Sequence, residues 1–309
     1  MSHPVGSSGF SKRRISVVIT DIDNTLFDWL AVWHASFSAL LTKLGETSGL
    51  AEDVLLAEIK AVFRRYGTSE FGLLIQELPS LTRQHPGRDL KGLYGEAIDH
   101  YRRAGQKTLR LYPGVYETLK TLRQCGVLVV GFTESKARYT AARVNHLDLD
   151  GLLTAVYAPG DHPLALDRYG APWTQTEKQP ATKWVERSHQ LKKPYPDQLK
   201  RILSDFGVKA SEALYIGDSL YKDVQMAQDA DVIDVHAAYG AGSPQDHFTL
   251  ISRVTHWSDA ELAKSRNFDS AAVRPSLVLE ESFSELLEHF DFTAFGAFRE
   301  PPMGCVRRS

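Results

Sequence analysis

Cysteine is nearly absent: Cys125 and Cys305 are the only two in 309 residues. That excludes a disulfide framework and suits a reducing compartment. Long apolar runs are missing too. The longest, VLVVGF at Val127–Phe132, is far shorter than the ~20 residues a membrane-spanning helix requires. Neither charge dominates, since 36 basic side chains face 38 acidic ones for a net charge of −2, so no strong field draws the molecule to nucleic acid. The 11 histidines show no His-Glu-x-x-His spacing, which leaves zinc unassigned. No Gly-x-Gly-x-x-Gly or Gly-x-x-x-x-Gly-Lys-Ser loop occurs, so nucleotide cofactors are not indicated. The opening MSHPVGSSGFSKRR lacks the apolar stretch of a secretory leader. These absences predict a soluble cytoplasmic protein with neither nucleic acid nor membrane as partner.

What is present is an alternation of element types. Ile15–Thr20 is a nearly continuous β-branched run, as expected of a strand covered on both faces. From Leu30 the spacing turns helical, with Trp33, Phe37, Leu40, Leu41 and Leu44 on one stripe and Gly45 as the expected stop. A second stripe (Leu55, Leu56, Ile59, Val62, Phe63) ends at Gly67, a third covers Phe71, Leu74, Ile75 and Leu78 before Pro79, and a fourth starts at Asp89. Trp33, Phe37 and Phe63 therefore read as core, and Lys60, Arg64 and Arg65 as a solvated face. From Leu111 onwards, helix and strand alternate, which implies βαβ units and a parallel sheet. The predicted fold is α/β, a doubly wound parallel-sheet, Rossmann-like core with an inserted all-helical domain.

The expected boundaries follow. Residues 1–14 form a flexible lead-in, and 15–28 with 110–292 form the α/β core, within which 159–190 and 241–275 read as irregular extensions. Residues 29–109 form the helical insert, and 293–309 a tail that frays. Within the irregular stretches, Trp173 and Trp184 either cover a site or fill a small satellite core. SFSELLEHF reads as a closing amphipathic helix.

In open parallel sheets, ligands bind beyond the carboxyl ends of the strands. Polar signals fall there: Asp21 and Asp23 after the first strand, Thr133 after VLVVGF, Lys193 before a helix, and Asp218 with Asp223 after ALYIG. Carboxylates are costly to crowd unless a cation or proton neutralises them. A hard cation such as magnesium accepts carboxylate and carbonyl oxygens and is often completed by a substrate phosphate. One carboxylate can then attack phosphorus, and another can protonate the leaving oxygen. A hydroxyl and an ammonium can hold the remaining phosphoryl oxygens. An isolated Asp-x-Asp pair more often caps a helix or a turn. Its place in an ordered series is what gives it chemistry.

DIDNT, VVGFTES, KPYPDQL and YIGDSLYKD together resemble the four ordered motifs of the haloacid dehalogenase superfamily, over roughly Ile15–Tyr239. The resemblance implies a phosphatase, because an acid at the Asp23 position marks the phosphatase branch. It implies Asp21 as nucleophile, Asp23 as general acid and base, Thr133 and Lys193 as phosphate-binding groups, and Mg2+ as cofactor. Asp21, Asp23, Asp218 and Asp223 are the implied metal site, with Asp23 serving through its main-chain carbonyl. Asp223 has an alternative role, capping the next helix or holding Lys193. The helical insert resembles the family's mobile cap. The implied reaction is hydrolysis of a small phosphorylated metabolite (phosphoglycolate, a sugar phosphate or a nucleoside monophosphate) through an aspartyl-phosphate. Two other readings use the same residues: a phosphomutase, and a non-catalytic phosphate-binding regulator, which has no need of Asp23. Glu134 departs from the pattern, since many relatives carry asparagine there. Lys178, Lys183 and Lys192 compete with Lys193 for its role.

Overall fold

A computed structural model describes residues 12–161, 180–188, 192–242, 244–266 and 268–296. The strands are β1 (Arg13–Ile15), β2 (Val17–Thr20), β3 (Leu128–Phe132), β4 (Ala155–Pro159), β5 (Lys183–Arg187), β6 (Ala213–Gly217), β7 (Ile233–Ala237), β8 (Leu277–Leu279) and β9 (Phe290–Phe292). Seven of them form one sheet in the order β5-β4-β3-β2-β6-β7-β8, and every pairing in it is parallel. A parallel sheet needs cover on both faces, so its strands carry apolar residues at odd and even positions alike. Val18, Val129, Leu214 and Ile216 belong to one core layer, and Val17, Ile19, Val130, Phe132, Ala213 and Tyr215 to the other.

The helices are α1 (Trp29–Ser48), α2 (Glu52–Tyr66), α3 (Pro79–Gln84), α4 (Leu90–Leu93), α5 (Gly95–Thr108), α6 (Val115–Gln124), α7 (Ala137–His146), α8 (Pro196–Phe206), α9 (Gln225–Asp229), α10 (Gln245–Val254), α11 (Asp259–Arg266) and α12 (Leu286–His289). Helix α6 covers the first core layer with Val115, Leu119 and Leu122. Helix α8 covers the second with Leu199, Ile202 and Leu203. Helices α1–α5, inserted between β2 and β3, enclose a separate core that includes Trp33, Phe37, Leu44, Ile59 and Phe63. Trp33 stacks on Phe37 with ring centroids 4.7 Å apart and donates its indole N–H to the Ser69 carbonyl at 3.0 Å. Ring stacking beyond area burial contributes about 0.5–1.5 kcal/mol per pair. Asp28 caps α1 by accepting the Ala31 N–H at 2.8 Å.

Several expectations need correction. Gly45 does not end α1, which runs on to Ser48 and stops at Gly49, whose φ of +69° is the left-handed cap that glycine takes without strain. The 159–190 stretch is not wholly irregular, because β5 lies in it and pairs with β4. Its sequence, KWVER, has Trp184 and Val185 between charged residues and carries little apolar signal. Trp184 sits in this strand and packs on the main core, away from the site. The 241–275 stretch contains α10 and α11, and α10 packs on the helical insert through Leu250, Ile251 and Val254. SFSELLEHF yields only a 3-10 turn at Phe283–Glu285 and the single turn α12 before β9, which pairs with β1. Cys125 follows the last turn of α6 and is exposed. Trp173, Lys178 and Cys305 lie outside the described residues, as do 1–11 and 297–309. Among the described residues no helix is long and apolar enough to cross a membrane.

Candidate active site

Strands β2, β3 and β6 are neighbours in register, with Thr20 opposite Gly131 on one side and Ile216 on the other. Asp21, Thr133 and Asp218 leave these strands at the same sheet edge. Asn24 takes a left-handed turn (φ 58°) immediately after Asp23, a conformation asparagine tolerates better than most residues. Its side chain accepts the Leu30 N–H at 3.1 Å, tying the strand exit to the start of α1.

Lys193, delivered just before α8, is buried and donates to Asp21 Oδ1 and, at 2.9 Å, to Asp223 Oδ1. Asp223 also accepts the Tyr215 hydroxyl at 2.8 Å and the Ser219 N–H at 3.1 Å. Gly217 makes this approach feasible, because a Cβ there would collide with the Asp223 side chain. Carboxylate oxygens of Asp21, Asp218 and Asp223 all fall within 4.8 Å of one another. Burial pushes Asp21 up to about 7, opposed by Lys193 and reinforced by Asp223 and Asp23. Burial also raises Asp218 well above the usual carboxylate range, as do Asp223 and Asp21. Burial disfavours the Lys193 ammonium, yet Asp21 and Asp223 hold it above its ordinary value. Three carboxylates against one ammonium leave negative charge that a divalent cation would complete, and carboxylate oxygens are the donors a hard cation prefers. The residues fit magnesium.

Asp23 is engaged elsewhere. Its Oδ2 accepts the Thr133 hydroxyl at 3.0 Å, and its Oδ1 lies 3.4 Å from the Arg143 guanidinium, which also pairs with Glu70 of the insert. Nothing in the spacing singled out Tyr215, Arg143 or Glu70. Tyr215 sits in a strand that reads as apolar, and Arg143 and Glu70 are ordinary surface types whose burial is decided by tertiary packing. Among the competing lysines, Lys192 reaches Glu261 at 2.6 Å, and Lys183 lies on the edge strand β5. Glu134 accepts the Lys193 N–H at 3.1 Å and pairs with Lys222. That contact offsets the charge its position would otherwise add.

A haloacid dehalogenase-like hydrolase family model matches residues 15–231. The chain belongs to that family. A phosphoglycolate phosphatase of Pseudomonas syringae pv. tomato DC3000 is 25% identical over 234 residues, covering 75% of this chain and 72% of the relative. A glyceraldehyde 3-phosphate phosphatase of Pyrococcus furiosus is 24% identical over 232 residues, covering 74% of this chain and 82% of the relative. The crystal structure of a 2-haloacid dehalogenase from Pseudomonas syringae pv. tomato DC3000 shares the fold, with a TM-score of 0.53 at 18% identity over 89% of this chain and 97% of that one. In the haloacid dehalogenase-like frame, α1–α5 are the cap, while α10 and α11 lie beyond the matched segment.

These added helices bring histidines to the cap. His34 of α1 stacks on His247 of α10 at 4.1 Å between centroids, and Asp246 completes a group spaced closely enough to hold a cation. Sequence spacing could not find this group, because His34 lies far along the chain from Asp246 and His247. Next to it in sequence, His256 accepts or donates at 2.9 Å with the Ser69 hydroxyl of the cap. Burial, with Lys192 and Lys222 nearby, pushes His256 down to about 4. The unfolded chain therefore binds the extra proton first as pH falls below about 6.5, and folding stability drops until the folded-state value is passed. Between pH 7 and 5 the loss from this group is about 2 kcal/mol. Asp21 and Asp218, raised by burial, change stability in the opposite sense over this range. The loss is therefore read as the difference between wild type and His256→Gln in denaturant melts at the two pH values, the variant lacking the His256 contribution to the slope. An unchanged slope in that variant would refute the assignment.

Proposed function

We propose that this haloacid dehalogenase-like hydrolase is a magnesium-dependent phosphomonoesterase acting on a small phosphorylated metabolite through an aspartyl-phosphate. The observation that carries the reading is the meeting of Asp21, Asp218, Asp223 and Lys193, from separate segments, around one buried point at the sheet edge. Asp21, Asp218 and Asp223 would hold the magnesium ion, with the Asp23 main-chain carbonyl as a further oxygen. When bound, that ion neutralises the clustered carboxylates and the charge on the transferring phosphoryl group.

The chain's own groups supply the rest. Asp21 attacks phosphorus with a carboxylate oxygen, and the bond from phosphorus to the leaving oxygen breaks. Asp23 donates a proton to that leaving oxygen, then takes one from the water that attacks the aspartyl-phosphate, so that inorganic phosphate leaves and both aspartates are restored. Lys193 holds a non-bridging oxygen and keeps Asp21 oriented. Thr133 can hold another once its hydroxyl turns from Asp23. Arg143, in reach of Asp23 and paired with cap residue Glu70, connects cap closure to the proton-transfer group.

The test is phosphate release from a panel of phosphorylated metabolites. Free phosphate should appear with magnesium, vanish with EDTA and return when magnesium is restored. Asp23→Asn should slow turnover by roughly 10²–10⁴-fold. An isomerised sugar phosphate without free phosphate would indicate a mutase instead, and turnover indifferent to the chelator would eliminate the metal.

A further inference from the structure

The site opens into a cavity of about 1240 Å³. Pockets that hold drug-sized ligands span roughly 300–1,000 Å³, so a two- or three-carbon phosphate would leave most of this space to water. The floor of the cavity is the catalytic edge. Much of its outer wall comes from Gln245, Phe248, Thr249 and Ser252 of α10, with His256 and Trp257 after it. All six lie beyond residue 231, where the family match ends. The wall is held to the cap: Val254 is buried in the cap core, and Arg253 pairs with Glu52 at 2.8 Å and Asp53 at 2.9 Å.

The charge of the lining decides what can sit against it. Near the phosphate end, Lys193 faces Asp21 and Asp223. Beside the wall, Lys222 lies 4.6 Å from the centre of the Trp257 ring and pairs with Glu134, and Lys192 pairs with Glu261 of α11. The Arg187 guanidinium donates to the Thr133 carbonyl at 2.9 Å. Lys136 lies in the field of Asp161 and Glu186. Lys193, Lys222, Lys192 and Arg187 thus each already meet an acid or a carbonyl, and Lys136 is left with only the more distant field of its two acids. Toward the wall, α10 offers an amide, two hydroxyls and the Phe248 ring, which is 46% exposed. Because Lys192 and Lys222 beside the wall are already neutralised by Glu261 and Glu134, a carboxylate on the leaving group would lose water there without gaining an unpaired counter-charge, which is unfavourable. An uncharged ring with hydroxyl groups would find apolar area and hydrogen-bond partners.

Building on the phosphomonoesterase reading, we infer that α10 and the Thr255–Trp257 segment form the leaving-group subsite, and that it selects an uncharged, ring-bearing alcohol of nucleoside size. The subsite discriminates against substrates such as phosphoglycolate, whose leaving group carries a carboxylate.

The test measures kcat/KM for a nucleoside 5′-monophosphate, glyceraldehyde 3-phosphate and phosphoglycolate, in the wild type, Phe248→Ala and Phe248→Lys. In the wild type the nucleoside monophosphate should exceed phosphoglycolate by about tenfold or more. Phe248→Ala should shrink the preference for the nucleoside monophosphate over glyceraldehyde 3-phosphate by about tenfold, chiefly through KM. Phe248→Lys, at a half-exposed position that tolerates polar residues, should raise phosphoglycolate relative to the other two. Phosphoglycolate turned over as well as the nucleoside monophosphate would overturn the subsite while leaving the hydrolase reading intact. Preferences unmoved by both Phe248 variants would also overturn it. Absence of phosphate release from these three and from the whole metabolite panel would take down the hydrolase reading itself, and the subsite with it.

Discussion

Asp21→Asn should abolish turnover, lowering kcat by on the order of 10⁴-fold or more, while the protein stays folded. Asparagine keeps the shape of the side chain but cannot form the acyl-phosphate bond. Lys193 retains Asp223 as a partner at 2.9 Å, so the buried ammonium is not stranded. One carboxylate also leaves a group of three whose oxygens crowd within 4.8 Å, so the metal-free variant should melt no lower than the wild type. Two measurements check this. Phosphate release reports the loss of chemistry, and acid quenching during turnover should trap phosphoenzyme in the wild type but not in the variant. Residual turnover near the wild-type rate would leave Asp21 without its assigned role.

Lys193→Met should damage stability as well as rate. The ammonium is almost wholly enclosed, sits 5.0 Å from the centre of the Phe132 ring, and bridges two buried carboxylates. Taking one partner from a buried ion pair costs about 3–5 kcal/mol, because the partners left behind are charged and desolvated. For a chain of this size that is a drop of roughly 10 °C in the melting midpoint in metal-free buffer. Added magnesium should recover more stability in this variant than in the wild type, since the stranded carboxylates gain more from a cation. Turnover should fall by on the order of 10²–10³-fold, as expected when one charge-stabilising donor is lost. A metal-free Lys193→Met protein as stable as the wild type would mean that the buried network contributes little.

The two variants bear on different parts of the site. Asp21 sits at a strand end, where the sequence marks it directly. Lys193 comes from a stretch crowded with lysines, where Pro194 and the following helix favour it by motif and packing then separates it from Lys192, whose ammonium pairs with Glu261. The strands of the sheet centre were legible because a parallel strand buried on both faces is apolar at nearly every position, as Val17–Thr20, Leu128–Phe132 and Ala213–Gly217 are apart from Thr20 and the Tyr215 hydroxyl. The edge strands β5 and β8 were not. One face of an edge strand meets solvent or loop, so Lys183–Arg187 carries charge where a core strand would carry valine. Helix α10 escaped notice for a related reason: its apolar residues serve the cap, a partner that the local pattern cannot reveal.

By itself, the sequence determined the α/β class and the helical insert, and it marked the candidate edge: carboxylates and a threonine following apolar runs, and a lysine ahead of a helix. These follow from local chemistry, because periodicity and turn residues act over a few positions. Only the tertiary structure decided that Lys193 bridges Asp21 and Asp223, that Arg143 and Glu70 join Asp23, and that α10 walls the cavity. Those outcomes depend on contacts between residues distant along the chain, whose burial and charge balance exist only once the sheet, the cap and the added helices have packed together.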